Sequence, residues 1–522
     1  MFRFLCRSIR LTAVGLGVAL SPLASFADVK LPSVLSDHMV LQRDKPVPIW
    51  GTAAAGEEVS VTFREQTKTA TADKAGKWSV KLDAIKKVGG PDALSIKGKN
   101  AIELKDILVG EVWVGSGQSN MQGAVRGYAA NDPALQKLSE GTYPKIRLST
   151  SGGNWKEAIP ANIGNFSAIL FAFGVAVQKD LDVPVGLMVG AVGGTPSGYW
   201  LSEEAFKADS AVQASIKTQL ASYDPAKAKE KYEAELTKWE KDSAAAKEAK
   251  KPLPRKPALL VPGEATGGKI GNLYQRNILP MIPYAIRGVL WDQGESGTAV
   301  TGIDQFTLMG ALIKGWRNEW GQGEFPFIYV QKASGGGCAW DPADPVTNKG
   351  EAFAPLPAVV PLAADAAYRL HHIGIMKHPN TYMATASDLG PGVHPTNKSG
   401  YGSRAARVAL GSVYDRNVEI YGPTYSSHAL EGSTVRVSFK HIGQGLATKH
   451  GDKLQGFAVA GPDGKFAWAE AKIDGNTVVL SNPAVANPTN ISYAAAATHR
   501  WANLFNKDGL PAIPFTTLKD AK

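Results

Sequence analysis

Cysteine is almost absent, with two residues in a chain of 522, Cys6 and Cys338. Cys6 falls in the first 27 residues, which carry Arg3, Arg7 and Arg10, no acidic residue, an apolar run over residues 11–20 and the exit Ser25-Phe26-Ala27. That pattern is the one of a signal peptide. The mature chain expected from it keeps Cys338 alone and forms no internal disulfide. Long hydrophobic runs are lacking as well. The apolar part of the leader is shorter than the ~20 residues that span a bilayer, and no later segment comes close. The expectation is an exported protein, periplasmic or extracellular, with no membrane insertion.

No basic patch stands out. Without the three leader arginines the net charge falls from +10 to +7, and the cations are scattered, so no nucleic-acid partner is implied. The exception is a cluster from Lys227 to Lys256, rich in Ala, Glu and Lys and closed by Pro252, Pro254 and Pro257. It reads as a solvated helical insertion over residues 222–262. Metal and nucleotide motifs are missing too. His371, His372 and His378 with Asp365 fit neither H-E-x-x-H nor a zinc spacing and read as loop residues. The glycine-rich stretch 190–198 lacks a Walker lysine and a complete dinucleotide fingerprint, which favours an oxyanion-binding loop over a phosphate site.

What is present is a change of texture along the chain. Residues 28–105 alternate in short runs such as Val59-Ser-Val-Thr-Phe63 and Trp78-Ser-Val-Lys-Leu82, which predicts a small β-sandwich. From 106 to 415, apolar runs at 107–114, 185–189, 286–291, 327–331 and 382–386 alternate with segments of helical period. Phe166, Ile169, Leu170, Phe173 and Val177 share one helix face, and Phe306, Met309, Leu312, Ile313 and Trp316 another. The alternation predicts an α/β domain with a mainly parallel sheet. Residues 416–522 return to alternating runs, Thr434-Val-Arg-Val-Ser438 among them, and predict a second β region.

Open α/β sheets bind ligands beyond the carboxyl ends of their strands. Four loops with reactive residues follow the predicted strands there: Ser119, Gly193-Gly194-Thr195, Gln293-Gly294-Glu295, and Asp388 with His394. Ser119 lies in Gly115-Ser-Gly-Gln-Ser-Asn-Met121, which is not the G-x-S-x-G elbow, because Met121 takes the last glycine position. Glycines before a serine at a strand-to-helix turn expose its hydroxyl, and the same serine could simply cap a helix. A serine nucleophile needs a base, and His394, in a loop stiffened by Pro395, is the histidine best placed for it.

These residues resemble the sialate O-acetylesterase family, a branch of the SGNH hydrolases. The likeness is carried by Leu35-Ser-Asp-His-Met-Val-Leu-Gln42, Gly117-Gln-Ser-Asn-Met121, Val185-Gly-Leu with Gly193-Gly-Thr195, and Gly288-Val-Leu-Trp-Asp-Gln-Gly-Glu-Ser296. It continues through Trp316-Arg317, Phe325-Pro-Phe-Ile-Tyr-Val-Gln331, Val393-His-Pro-Thr-Asn-Lys398 and Asn503-Leu-Phe-Asn-Lys-Asp-Gly-Leu-Pro511. The resemblance implies a three-layer, flavodoxin-like α/β/α domain of SGNH type flanked by β-sandwich-like regions. It implies Ser119 as nucleophile, His394 as base, and the amides of Ser119 and Gly193 or Gly194 with the Gln293 side chain as oxyanion donors. It further implies a carboxylester hydrolase that removes acetyl groups from sugars through an acetyl-enzyme, without metal or cofactor.

Two departures stand out. Gly297 follows Gly-Glu-Ser where relatives often have asparagine. Pro391 stands three residues before His394, where SGNH enzymes usually carry aspartate, so Asp388 is the best acid by position and a main-chain carbonyl the alternative. Asn120, Glu295, Trp200 and Trp291 are the substrate-binding candidates. Trp113 also flanks these loops, and all three tryptophans equally suit a core beside the sheet. Arg126 and Arg317 are the cations a sugar carboxylate would call for. The expected substrate is an O-acetylated carbohydrate, either sialic acid or a plant polysaccharide such as xylan or xyloglucan. A carbohydrate-binding protein that has lost activity is the competing reading.

Overall fold

The computed structural model describes residues 28–332, 336–338, 341, 353–361 and 366–518. The expected leader and Asp365 lie outside them. The central strand is β1 (Ala101–Gly117). Its burial changes halfway. The first residues alternate between exposed and covered, while from Ile107 onward every residue is buried. A strand reads this way when it leaves a sheet with one wet face and enters a parallel sheet covered on both. The first half pairs antiparallel with Gly89–Lys97 in the N-terminal region. The second half pairs in parallel with two strands of the α/β region.

Around β1 lie β2 (Tyr143–Thr150), β3 (Lys156–Ala158), β4 (Val185–Ala191), β5 (Gly288–Asp292), β6 (Phe327–Val330) and β7 (Thr381–Ala384). Their order across the sheet is β7-β6-β5-β1-β4-β2-β3. All neighbours are parallel except the edge pair β2 and β3. The five expected core runs are all strands of this sheet. Strand β2 was not among them, because Tyr143-Pro-Lys-Ile-Arg-Leu-Ser-Thr150 is too polar to stand out.

Helices cover both faces. On one side α2 (Ala168–Leu181) and α5 (Lys398–Val413) share a core with β4. They cross at Gly402, where an added Cβ would lie 2.6 Å from the Ala172 Cβ and from the Ile169 carbonyl oxygen. The other side carries α4 (Gln305–Trp320), whose Met309, Leu312, Ile313 and Trp316 are buried. Side-chain caps set the helix starts: Ser167 accepts from the Leu170 amide and Asp304 from the Thr307 amide. The insertion contains α3 (Pro225–Glu248), in which only Ser243 is buried, as a solvated helix requires. None of the described helices is long and apolar enough to cross a membrane.

The flanking regions are β structures. Glu58–Phe63 and Lys77–Leu82 alternate in burial and belong to different N-terminal sheets. After α5, Thr434–Lys440 pairs antiparallel with Thr477–Ser481 above a separate core that includes Val435, Phe457 and Tyr493.

Candidate active site

The carboxyl ends of β1, β4 and β5 converge on Ser119. The last residue of β1, just before the single-turn helix α1 (Ser119–Gln122), is Gly117 at φ +125°, where an added Cβ would collide with the Asp292 carbonyl at the end of β5. The amide of Gln118 donates to that same carbonyl at 2.8 Å. Glycine is therefore required here on two grounds, the backbone angle and the close approach. One helical turn carries little macrodipole, so any oxyanion stabilisation by α1 is a matter of individual amides.

His394 comes to Ser119 from a loop 275 residues later, and its Nε2 lies 2.7 Å from the Ser119 Oγ. With the serine hydroxyl donating, Nε2 accepts and the proton of the ring resides on Nδ1. The imidazole is exposed. Gly193 is also adjacent: its Cα position points at Ser119, whose Cβ would be 3.4 Å from an added methyl. Its amide donates to the Gln122 Oε1 at 2.8 Å, so Gln122 must turn aside before Gly193 can serve an oxyanion. Gly194, at φ +71°, faces open space.

The geometry gives several of the expected residues other partners. Gln293 is fully buried, and its Nε2 donates to the carbonyls of Gly297 at 2.9 Å and Thr195 at 3.4 Å, while its Oε1 accepts from Gln305. Both amide hydrogens are used in tying two loops together, which leaves none for an oxyanion. Asp388 presents both carboxylate oxygens to the Arg404 guanidinium at 3.1 and 3.0 Å. That bidentate pair anchors the loop after β7 to α5, and Asp388 makes no hydrogen bond to His394. Among the described residues nothing accepts from His394 Nδ1.

The substrate-binding candidates are also displaced. Trp200 and Trp291 are buried edge-to-face against each other at 6.0 Å, with Trp316 5.8 Å from Trp291. Trp113 is buried and donates to the Tyr414 hydroxyl. These are core aromatics, not sugar platforms. Arg317 donates to the carbonyls of Phe325, Pro379 and Asn380 and so holds chain turns. Arg126 is exposed. His371 and His372 lie on the helix Ala367–Gly374 rather than in a loop, and His378 stacks on Phe306 at 4.2 Å. No cluster of metal-ligating side chains occurs among the described residues.

Asn120 and Glu295 face inward, into a buried charged cluster that motif reading did not anticipate. Lys332, fully buried, reaches Asp292 at 2.6 Å and Glu295 at 2.7 Å. Burial opposes its charge, but the two carboxylates more than offset this and raise its pKa. Burial pushes the Asp292 carboxyl up, with Lys332 opposing. Asn120 donates to Glu295 at 3.1 Å and to the Val393 carbonyl at 3.1 Å. Its Oδ1 accepts from the Lys398 Nζ at 2.5 Å. Lys398 was visible in the sequence four residues beyond His394, but its partner is 278 positions away. His372 Nε2 lies 3.4 Å from the Gln293 carbonyl, and burial, helped by the charge of Lys332, lowers its pKa to about 3, so it is neutral.

No family model matches the chain. The sialate O-acetylesterase of Rattus norvegicus is 28% identical over 444 residues, covering 76% of this chain and 75% of that protein. That of Homo sapiens is 26% identical over 464 residues, covering 78% and 76%. Among solved structures, a carbohydrate acetylesterase from Xanthomonas citri matches with a TM-score of 0.72 and 26% identity, over 94% of this chain and 100% of that one. The expected resemblance to the sialate O-acetylesterases, and with it the carboxylester hydrolase class, holds against both comparisons.

Proposed function

We propose that this protein is an exported O-acetylesterase of SGNH type that removes acetyl groups from a carbohydrate through an acetyl-serine intermediate. The observation that carries the reading is the 2.7 Å contact of Ser119 Oγ with His394 Nε2. Two residues so far apart in the chain meet at the carboxyl edge of a parallel sheet, where such folds do their chemistry. The names of the similar proteins supply the acetyl and carbohydrate parts of the proposal.

Ser119 Oγ attacks the acetyl carbonyl carbon while its proton passes to His394 Nε2. The resulting oxyanion accepts from the Ser119 amide and, once Gln122 has swung away, from the Gly193 amide, with Gly194 beside it. As the carbon–oxygen bond to the sugar breaks, the sugar oxygen takes the proton from His394. Water then attacks the acetyl-enzyme, giving its proton to His394, and the returning proton restores Ser119 as acetate leaves. Acyl groups longer than acetyl should be poor substrates on this reading. The sugar is sialic acid or a plant polysaccharide such as acetylated xylan or xyloglucan.

Acetate release from sialylated mucin, acetylxylan and acetylated xyloglucan tests the substrate, and Ser119→Ala tests the mechanism. The variant should lose on the order of 10^4-fold in kcat on an acetyl aryl ester. Release that survives Ser119→Ala would reject the proposal in favour of a non-catalytic sugar-binding protein with a contaminating activity.

A further inference from the structure

The position usually held by a triad carboxylate is Pro391, and Asp388 is occupied by Arg404, yet His394 stands at hydrogen-bond distance from Ser119. Among the described residues, something other than an acid on the ring holds the loop that carries it. The carbonyl of Val393, the residue directly before His394, is gripped by the Asn120 Nδ2. Asn120 directly follows Ser119, so one side chain links the nucleophile turn to the histidine loop. Its amide plane is fixed in turn from both ends. Glu295 accepts from Nδ2, and Lys398 donates to Oδ1. Asn120 and Lys398 are fully buried.

We propose, on the esterase reading above, that Lys398 is a positioning residue which, by locking the Asn120 amide, sets the distance between Ser119 and His394, whose ring no acid among the described residues holds. Lys398 is well suited to this. It begins α5, whose start is itself pinned by Asp132, which accepts from the Ser399 amide at 2.8 Å and the Ser399 hydroxyl at 2.7 Å. Its ammonium lies 4.5 Å from the Tyr128 ring centre and 5.3 Å from that of Tyr401, which restrain it sideways. The charged groups around it are Asp292, Glu295, Asp132 and Lys332. Burial lowers its pKa to about 7, with Asp292 and Glu295 opposing and Lys332 assisting the fall. Either protonation state keeps an N–H for Asn120, so the lock needs the donor and not the charge. An acid on the imidazole both orients the ring and stabilises the imidazolium. Lys398 and Asn120 supply only the first, by way of the backbone.

The experiment compares Lys398→Met, Lys398→Gln, Asn120→Ala and the double variant Lys398→Met/Asn120→Ala in the full chain. The readouts are kcat and KM on an acetyl aryl ester, the rate at which a fluorophosphonate labels Ser119, and the melting temperature. Lys398→Met should lower kcat and labelling together by roughly 10- to 100-fold, the range typical when a supporting hydrogen bond behind reacting groups is lost, with KM within about twofold. Lys398→Gln, which can still donate, should recover most of that loss. The double variant should be no slower than the slower single one, because the two residues act as a unit. Folded Lys398→Met with wild-type labelling and kcat would overturn the inference, as would single losses that multiply in the double variant. If Lys398→Met does not fold, Lys398→Gln against Asn120→Ala decides: equal losses in kcat overturn it. Wild-type protein whose Ser119 is not labelled would overturn the esterase reading itself, and this inference with it.

Discussion

Two buried charge centres stand at opposite ends of the parallel part of β1. At the entry end, Glu111 has each carboxylate oxygen bonded twice: Oε1 to Arg43 at 2.5 Å and Arg287 at 3.0 Å, Oε2 to Arg287 at 2.6 Å and Gln42 at 3.0 Å. At the exit end, Asp292, Glu295, Lys332 and Lys398 form a cluster around the Asn120 amide. The first centre joins chain segments that are far apart in sequence and touches no reactive group. In the second, Asn120 directly follows Ser119 and bonds to the carbonyl of the residue directly before His394. A saturated carboxylate serves cohesion, whereas an irregular cluster of two acids and two amines holds movable parts in register. Interior charge alone therefore does not mark an active site; its connection to the reacting groups does.

The sharpest way to break this contrast is Glu111→Gln. Removing one member of a buried ion-paired group leaves its partners inadequately compensated, and a loss of about 3 kcal/mol is expected from denaturant unfolding. The kcat of the fraction that remains folded should be unchanged. An intact melting curve with reduced kcat would reverse the roles assigned to the two centres.

Acid sharpens the same contrast with a smaller effect. Burial works against charge on Glu111, but Arg287, Gln42 and Arg43 outweigh it and hold its pKa below the ordinary 4.5. The unfolded chain takes up this proton near 4.5, the folded chain only lower. The stabilisation is thus complete above pH 4.5 and is lost as the pH falls through the folded value. Thermal melts should show stability decreasing below pH 4.5, and Glu111→Gln should flatten that decrease. An unaltered slope in the variant would assign the acid sensitivity to other carboxylates.

Asp388→Asn is expected to do least at the active site. It breaks one partner of a largely buried bidentate pair with Arg404, so the melting temperature should fall modestly, by an amount corresponding to about 1–2 kcal/mol. Because neither oxygen is bonded to His394, kcat should stay within about threefold of wild type. A loss of 10^3-fold or more would restore Asp388 as the acid of a triad.

Much of the α/β region was legible because a parallel strand buried on both faces must be a continuous apolar run, as at residues 107–114 and 327–331. Strand β2 escaped because its pairing with β4, not its own pattern, makes it a strand. Ser119 and His394 could be picked out by chain position, since topology brings strand ends together. The directions of side chains could not. Gln293 follows β5 as an oxyanion donor would, yet its amide is needed by the carbonyls of Gly297 and Thr195. Asp388 precedes His394, yet Arg404 on the following helix claims it. Lys398 offered one clue, its nearness to His394, and its function depends on a contact with Asn120 that only folding creates.

Strand β1 runs without interruption from the N-terminal sheet to the residue before Gln118. The region that precedes the catalytic sheet is therefore joined to it by a shared beam and not by a tether. A cut that frees this region severs the strand that leads into the Ser119 turn. Anyone exchanging parts of this chain would have to treat the two regions as a single piece.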